Sequence, residues 1–357
     1  MSTRNWRLTG ALATVLVVAA CGPGGASSSA PASQAASNPP ATTTEPTSAA
    51  SPAGAELTLA HSYQDAQPQH ACGAKVIADG AAAANVGLTV EIFGASQLGG
   101  DADRIASVVS GDIDIDIQGA SALSALYAPM SVVDGAFVFD DADHLTRFFT
   151  DPASDALKTG FLDTTGVRVL GAWSAGARQF TADVEIRTPD DLKGLRMRFP
   201  PSPQFLMNAA AMGAEPVEVA FEELYLALQQ GTVDGQENPI TNIAANNIHE
   251  VQDFISMSSH QLNSNLVVVN EATWSSLGPE QQEALSAAVL EAMGEVPTCV
   301  EEFEATTLAD WKANGPIKVV EDVDRAAFQT KAEAYLRDNF SADQVPVLEA
   351  IRSVASN

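Results

Sequence analysis

From Glu56 onward the chain alternates short β-rich runs with helical stretches, and this alternation constrains its fold more than any other feature. Strands are predicted at 57–60, 89–93, 113–117, 167–170, 195–199 and 267–269, and helices at 101–110, 202–212 and 222–230. Strands that alternate with helices form sheets whose faces are covered by the helices, and such connections favour parallel strands. The predicted fold class is therefore α/β, with mainly parallel sheets.

A longer helical region is predicted to begin at Gly278-Pro279-Glu280, because proline is well tolerated in the first turn of a helix. Pro297 lies inside this region and has no backbone N–H to donate, so the sequence predicts a kink or an interruption there. The length of 357 residues is sufficient for two lobes.

Residues 1–20 are typical of an export signal. Arg4 and Arg7 precede an apolar run that ends at residue 20, and this run is shorter than the ~20 apolar residues that span a bilayer. The sequence Val-Ala-Ala-Cys that ends at Cys21 resembles a bacterial lipobox, in which the peptidase cleaves before the cysteine and the thiol receives a lipid. The alternative is an ordinary signal peptide followed by a coincidental cysteine.

Residues 21–55 are predicted to comprise the lipidated cysteine and a disordered tether. The segment is rich in Pro, Ser, Thr, Ala and Gly, and such a composition cannot bury enough apolar surface to fold.

The charge and the motifs exclude several classes of function. The 18 Lys and Arg residues stand against 45 Asp and Glu residues, and a formal charge of −27 disfavours nucleic acid as a partner. Five scattered histidines and three cysteines offer little material for a zinc site or a disulfide scaffold. Asp112, Asp114 and Asp116 imitate the start of a calcium loop, but Ile117 and Leu123 stand where glycine and glutamate are required. We therefore predict no catalytic residue, no metal and no cofactor.

Three stretches carry a much more specific signal: Gly-Ala-Arg-Gln-Phe-Thr at 176–181, Asp-Leu-Lys-Gly-Leu-Arg-Met-Arg-Phe at 191–199, and Val-Asp-Gly-Gln-Glu-Asn-Pro at 233–239. In this order and spacing they closely resemble the extracytoplasmic solute-binding proteins of TRAP transporters, the DctP-like family. The likeness extends from about Glu56 to Phe340. The resemblance implies a periplasmic-binding-protein-like fold, in which crossing strands and a long helix join two lobes that close over a small organic acid. It places lobe one at 56–175 plus 264–303, and lobe two at 176–263 plus 304–357.

The resemblance also assigns ligand contacts residue by residue. The residues that it assigns are Arg198, Arg178, Asn238, Phe221, Gln118 and Trp173. Arg198 matches the arginine that grips the ligand carboxylate, since a guanidinium offers a planar fork to both oxygens. Arg178 and Asn238 match further polar contacts, Phe221 matches an aromatic that packs on the ligand, and Gln118 falls where lobe one contributes a polar group. Trp173 is expected at one wall of the site. The alternatives are structural ion pairs for the arginines, a turn cap for Asn238, and core packing for Phe221 and Trp173.

Cys72 and Cys299 are not part of the family pattern. With Cys21 lipidated, they are the two thiols that remain in an oxidising compartment, so we expect a disulfide between them. Two separate buried thiols are the alternative.

The predicted function is ligand capture for secondary transport. We expect a monomer, lipid-anchored to the outer face of the cytoplasmic membrane, that delivers an organic acid to the TRAP membrane subunits. A sugar acid such as a uronate is favoured over a C4-dicarboxylate or an aromatic acid, because Gln118, Asn238 and Gln236 offer hydroxyl partners. The alternatives are a receptor that presents its ligand to a sensor, and an extracellular hydrolase on a binding-protein scaffold, which the missing nucleophile and metal sites disfavour.

Overall fold

The computed structural model of the protein describes residues 54–355. The predicted signal peptide at 1–20, the predicted lipidation site Cys21 and nearly all of the predicted tether lie outside the described residues. Within 54–355, no helix combines the length and the apolar character that are needed to cross a membrane.

The strands of this part of the chain form one mixed sheet. They are β1 (Ala55–Ala60), β2 (Leu88–Phe93), β3 (Ile115–Gln118), β4 (Val167–Ala182), β5 (Arg196–Phe199), β6 (Glu215–Glu218), β7 (Gly235–Pro239), β8 (Phe254–Asn270) and β9 (Lys318–Val320). The strand order is β2-β1-β3-β8-β4-β7-β5-β6, and β9 pairs with β8.

Helices connect most of these strands. The α-helices are α1 (Lys75–Ala83), α2 (Asp101–Ser110), α3 (Ala120–Leu123), α4 (Ala142–Thr150), α5 (Asp155–Thr165), α6 (Pro203–Met212), α7 (Leu224–Gln229), α8 (Ile240–Ala245), α9 (Glu271–Ser276), α10 (Pro279–Asn314), α11 (Arg325–Asn339) and α12 (Val345–Ser353). A π-helix covers Gln69–Ala74, and 3₁₀ helices cover Ala128–Asp134, Pro152–Ser154, Pro189–Leu192, Phe221–Glu223 and Ile248–Glu250.

Two long antiparallel strands, β4 and β8, run through both halves of the sheet. The first half of β4 and the last half of β8 lie with β1, β2 and β3, whereas their other halves lie with β5, β6, β7 and β9. The register of the pair shifts between Ser174 and Ala177, at the change from one half to the other. The expectation of mainly parallel sheets is therefore wrong at the centre of the sheet. There β4 and β8 pair antiparallel with each other, β8 pairs antiparallel with β3, and β4 pairs antiparallel with β7.

The lobe boundaries remain a prediction. The register shift lies beside the predicted boundary at 175–176. The C-terminal helix α12, however, contacts the 128–154 region: His144 Nε2 lies 2.9 Å from the Ile351 carbonyl, and Arg147 Nε donates to the Val354 carbonyl at 2.9 Å. These contacts connect part of the predicted lobe two to the predicted lobe one.

The long helix α10 spans 36 residues and passes Pro297 without a break, so an interruption at Pro297 is wrong, whereas the kink stays a prediction. Proline in a helix interior costs about 3 kcal/mol through a lost hydrogen bond and a steric clash. Here the residues on either side pack into the core: Val296 and Val300 are buried. Because tertiary packing supplies most of the stability of a protein helix, it outweighs the local cost of the proline.

A disulfide joins the π-helix to α10. Cys72 is bonded to Cys299, with 6.6 Å between their Cα atoms. The bond ties the π-helix to α10 close to Val300 and Glu304, which lie beside Gly176 at the strand crossover.

We expect reduction of this disulfide to lower the free energy of unfolding. The residues lie 227 positions apart, and the chain-entropy model gives an upper limit of about 5 kcal/mol for a loop of that size. Urea unfolding with and without reductant measures the loss, and the Cys72→Ser/Cys299→Ser variant serves as the control that reductant should not affect. Two free thiols in the oxidised protein would contradict the bond.

Gly176 allows α10 to approach the strand crossover. Its φ of +101° lies in the region that favours glycine, and a Cβ at this position would overlap Glu304 Oε1. That carboxylate oxygen is buried and accepts no hydrogen bond from the described residues. Burial, with a smaller contribution from Glu301, raises the pKa of Glu304 to about 8.

We expect this carboxyl to make the protein less stable as pH rises from about 5 to 8. Over this range the folded state holds a proton that the unfolded state has released, because the folded pKa lies above the ordinary value of 4.5. The loss can reach ~1.4 kcal/mol per pH unit as an upper limit. Glu304→Gln should flatten this slope in unfolding experiments at several pH values, and an unchanged slope would show that Glu304 is ionised in the folded protein.

Candidate functional site

A cavity of about 500 Å³ lies beside the crossing strands. Its wall draws residues from β3, β4, β5, β7 and β8, and therefore from both halves of the sheet. Tyr63, Asp101 and Gln118 line it from the first half, and Arg198 and Phe221 from the second. A cleft between two halves of a sheet that crossing strands join is a site that can close around a small molecule.

Five of the six residues predicted to contact a ligand line this cavity: Arg198, Arg178, Asn238, Phe221 and Gln118. Trp173 does not. It is fully buried in β4, and a Cβ on Gly73 would lie 3.1 Å from its Cζ2 atom, so it packs beneath the π-helix instead. Its expected place at one wall is therefore corrected, and core packing, the alternative reading of this residue, describes its position.

Arg198 is a buried cation with unused hydrogen-bonding capacity. The side chain lies in β5 and is only 1% exposed. Its Nε donates to the Val219 carbonyl at 2.9 Å, whereas no described residue accepts from its buried Nη1. Burial lowers the pKa of Arg198 to about 10, opposed by nearby acids of which Glu237 is the strongest, so the guanidinium stays charged at neutral pH. A buried charge without a full set of partners is costly, and an anion in the cavity would satisfy it.

Arg178 also lines the cavity, but its side chain is largely committed to protein groups. Nε and Nη2 both donate to the Glu237 carboxylate, Nη2 at 2.7 Å, and Nη2 also reaches the Glu237 carbonyl at 2.7 Å. Nη1 donates to Asn263 Oδ1 at 2.6 Å, and the guanidinium carbon lies 4.8 Å from the centre of the Phe205 ring. The structural ion pair is therefore present, and one N–H on Nη1 is left for a ligand.

Buried groups hold Glu237 in place beneath Arg178. Burial alone would raise the pKa of Glu237, but the charge of Arg178 and a hydrogen bond from His260 hold it below its ordinary value. Burial lowers the pKa of His260, which is therefore neutral at pH 7. Its Nε2, 3.3 Å from Glu237, is the donor, and its Nδ1 accepts from Ser258 Oγ at 2.8 Å. The ring stacks on Phe180 at 4.3 Å, which fixes its orientation.

The two predicted amides bond to neighbouring side chains. Asn238 Nδ2 donates to Gln236 Oε1 at 2.5 Å, and its Oδ1 accepts from Asn242 Nδ2 at 3.3 Å. Gln118 Nε2 lies 3.3 Å from Asp116 Oδ2 and 3.4 Å from Asp101 Oδ1.

Sequence reasoning missed several residues of the wall, of which Asn265 is the most informative. It is 2% exposed, and its Nδ2 donates to Tyr63 Oη at 2.6 Å and to the Ser264 carbonyl at 3.1 Å. Its Oδ1 has no partner among the described residues, and neither has Ser121 Oγ. The signal was available, because polar residues at 263–265 interrupt a strand that is apolar from 266 to 269.

Metal ligation finds no support in residues 54–355, where no three His, Cys, Asp or Glu side chains are grouped so that they could hold an ion. The cavity is thus lined by a buried cation, amides, hydroxyls and carboxylates, which can bind and orient a polar anion.

A family model described as bacterial extracellular solute-binding protein, family 7 (DctP) matches residues 59–343. The 2,3-diketo-L-gulonate-binding periplasmic protein YiaO of Escherichia coli is 32% identical over 268 residues, which cover 75% of this chain and 81% of that protein. The sialic acid-binding periplasmic protein SiaP of Vibrio cholerae is 31% identical over 244 residues, which cover 68% of this chain and 76% of that protein.

TRAP periplasmic solute-binding proteins of known structure are also similar to this chain. A TRAP periplasmic solute-binding protein of Roseobacter denitrificans with bound L-galactonate has a TM-score of 0.77 and 27% identity, and covers 85% of this chain and all (100%) of that one. A second from that organism, with β-D-glucuronate, has a TM-score of 0.76 and 28% identity over 84% of this chain and 99% of that one. One from Sulfurospirillum deleyianum with succinate has a TM-score of 0.76 and 26% identity over 85% and 99%. These likenesses confirm the predicted two-lobed α/β binding-protein fold.

Proposed function

Because this chain belongs to family 7 of the bacterial extracellular solute-binding proteins, the DctP family of TRAP transporters, we propose that it captures a small organic acid outside the cell and delivers it to the TRAP membrane subunits. One observation carries the ligand class: Arg198 is a buried, charged guanidinium in the cavity wall, and its Nη1 has no partner among the described residues. A carboxylate removed from water needs charge-assisted donors, and guanidinium supplies them in matching geometry.

The relatives support an acid of the sugar-acid or C4-dicarboxylate type. Similar proteins are named for binding 2,3-diketo-L-gulonate or sialic acid, or were solved with bound L-galactonate, β-D-glucuronate or succinate. Each of these ligands carries a carboxylate, and a cavity of about 500 Å³ is of a size typical for small ligands. Capture by closure of the two halves would exclude water and strengthen each polar contact in the site.

A thermal-shift screen of organic acids tests the proposed ligand class directly. We expect organic acids, and not neutral sugars, to raise the melting temperature of the purified protein, since a ligand at 100 times its Kd stabilises by ~2.7 kcal/mol. Arg198→Ala serves as the matched protein without the carboxylate anchor. If neutral sugars raise the melting temperature and no acid does, the carboxylate reading is wrong.

The proposal includes export and anchoring by a lipid on Cys21, and action as a monomer. The resemblance of residues 18–21 to a lipobox supports the anchor. Labelling of cells with a fatty acid should mark the wild-type protein and not Cys21→Ser, and equal labelling of both would exclude this attachment site.

The proteins of this family are binding proteins, and we propose that this chain likewise catalyses no reaction. The support is the lack of a nucleophile or metal motif in the sequence. Recovery of the bound acid unchanged after long incubation is the expected result, and its conversion would favour a hydrolase.

A further inference from the structure

The charges around the cavity are unevenly distributed. Two arginines and four acids line it, namely Arg178, Arg198, Asp101, Asp103, Asp134 and Glu222. Arg178 is neutralised by the Glu237 carboxylate beside it. Arg198 is therefore the one lining cation of this part of the chain that is free to pair with a ligand charge, and the remaining charged groups of the wall are acidic.

Two of the lining acids, Asp101 and Glu222, come from opposite halves of the sheet. Glu222, from the second half of the sheet, accepts a hydrogen bond from Ser96 Oγ at 3.3 Å, and a Cβ on Gly100 would lie 3.7 Å from its Oε1. Asp101 is the next residue along the chain from Gly100. The two acids thus belong to opposite halves of the sheet, and the Glu222 carboxylate lies beside Gly100, the residue that precedes Asp101 at the start of α2.

The ion pair that Asp101 forms with Arg104 does not fully neutralise the negative charge of its carboxylate. Its Oδ1 accepts from Arg104 Nη2 at 2.8 Å, but the same guanidinium also bonds to Asp116 at 3.1 Å. One cation shared between two carboxylates leaves a net negative charge. The Asp101 side chain is 48% exposed, and none of the described residues donates to its Oδ2. A second carboxylate on a ligand would meet this charge and that of Glu222, and like charges placed together at a binding site are strongly unfavourable.

A buried acceptor in the cavity wall, Asn265 Oδ1, favours a ligand that carries a hydrogen-bond donor. Asn265 Oδ1 is buried and unpartnered, and its orientation is fixed because Nδ2 donates to the Ser264 carbonyl, which can only accept. Tyr63 Oη accepts from the same Nδ2, so its own proton is available to a ligand. An ionised carboxylate can only accept hydrogen bonds, whereas a hydroxyl group can donate to Asn265 and accept from Tyr63.

We propose that this cavity selects hydroxylated monocarboxylates and discriminates against dicarboxylates. This inference rests on the proposed function and narrows its ligand class. The carboxylate pairs with Arg198, a hydroxyl group donates to Asn265 Oδ1, and the far end of the ligand, next to Asp101 and Glu222, carries hydroxyl groups without negative charge.

Matched pairs of acids test the proposal by calorimetric titration of the purified protein. D-Gluconate and D-glucarate, and likewise D-galactonate and galactarate, differ in one terminal group, which is a hydroxymethyl in the first member and a carboxylate in the second. We expect the monocarboxylate of the pair that binds to be at least ~30-fold tighter than its dicarboxylate, a ratio that corresponds to about 2 kcal/mol.

Two variants assign the discrimination to the acids. Asp101→Asn and Glu222→Gln should each reduce the ratio of the two affinities by about tenfold or more, chiefly because the dicarboxylate binds better. Asp163→Asn, which removes an exposed charge on α5 outside the cavity wall, should leave the ratio unchanged. Glu222 is exposed, so its variant keeps the test valid if Asp101→Asn fails to fold.

The outcomes separate this inference from the function on which it rests. A dicarboxylate, succinate included, that binds as tightly as the monocarboxylates would overturn the inference and leave organic-acid capture intact. An unchanged ratio in both variants would likewise remove Asp101 and Glu222 as the cause. If neutral sugars bind and no acid does, the proposed function fails, and the inference fails with it.

Discussion

Replacement of Arg198 by alanine is expected to weaken binding of the cognate acid by about 30-fold to several-thousand-fold. The variant leaves the ligand carboxylate desolvated and without its charged partner, and loss of one member of such a pair costs roughly 2–5 kcal/mol. Because Nη1 of Arg198 has no partner among residues 54–355, most of the loss should appear in ligand affinity.

Calorimetric titration of wild type, Arg198→Ala and Arg198→Lys with one acid makes the test quantitative. Lysine keeps the charge but loses the two-pronged geometry, so its affinity should lie between the other two. Arg196→Ala is the matched control: it lies on the same strand, is exposed and pairs with Asp234, and it should bind within a few-fold of wild type. An Arg198→Ala variant that binds like wild type would exclude Arg198 as the anchor and leave Arg178 as the next candidate.

The local hydrophobic pattern predicted the secondary structure well for short, single helices and strands. The helix predicted at 101–110 matches α2, and the strand and helix predicted at 195–199 and 202–212 correspond to β5 and α6. The crossing strands were predicted only in part. The predicted runs 167–170 and 267–269 lie at the ends of β4 and β8, whose remaining residues mix small, polar and large apolar side chains without a regular alternation. A hydrophobic pattern cannot mark a strand along that stretch.

The site was predicted where the residue itself carries the chemistry. Arg198 was assigned through the family motif, and it lies in the cavity wall, while its contact with a ligand stays a prediction. The pairing of Arg178 was not specified, since its partner Glu237 lies 59 residues away and any of 45 acids could have served. Trp173 was misplaced because the register shift that follows it, between Ser174 and Ala177, decides which face of β4 meets the cavity. Such a shift depends on strand pairing, which a single sequence does not show.

The buried ion pair between Arg178 and Glu237 is expected to make a large contribution to the stability of the protein. Both side chains are almost fully buried, at 3% and 0% exposure. Removing one partner of a buried pair leaves the other charge uncompensated and typically costs about 3–5 kcal/mol. We therefore expect Arg178→Met to lower the free energy of unfolding at pH 7 by an amount in this range. The double variant Arg178→Met/Glu237→Gln should recover a substantial part of the loss, since no buried charge is left unpaired and the two substitutions are strongly coupled.

The pH dependence of this loss distinguishes an ion pair from simple packing. The pKa of Glu237 in the wild-type protein is held below its ordinary value, so the pair contributes stability above the unfolded pKa and loses it as pH falls through the folded pKa. In Arg178→Met that pKa should rise, because burial is no longer opposed by the guanidinium. The difference in stability between wild type and Arg178→Met should therefore be larger at pH 7 than at pH 4, where a protonated Glu237 costs less to bury. Urea unfolding at the two pH values measures it, and a difference below 1 kcal/mol at both would mean that the pair behaves like a solvated surface contact.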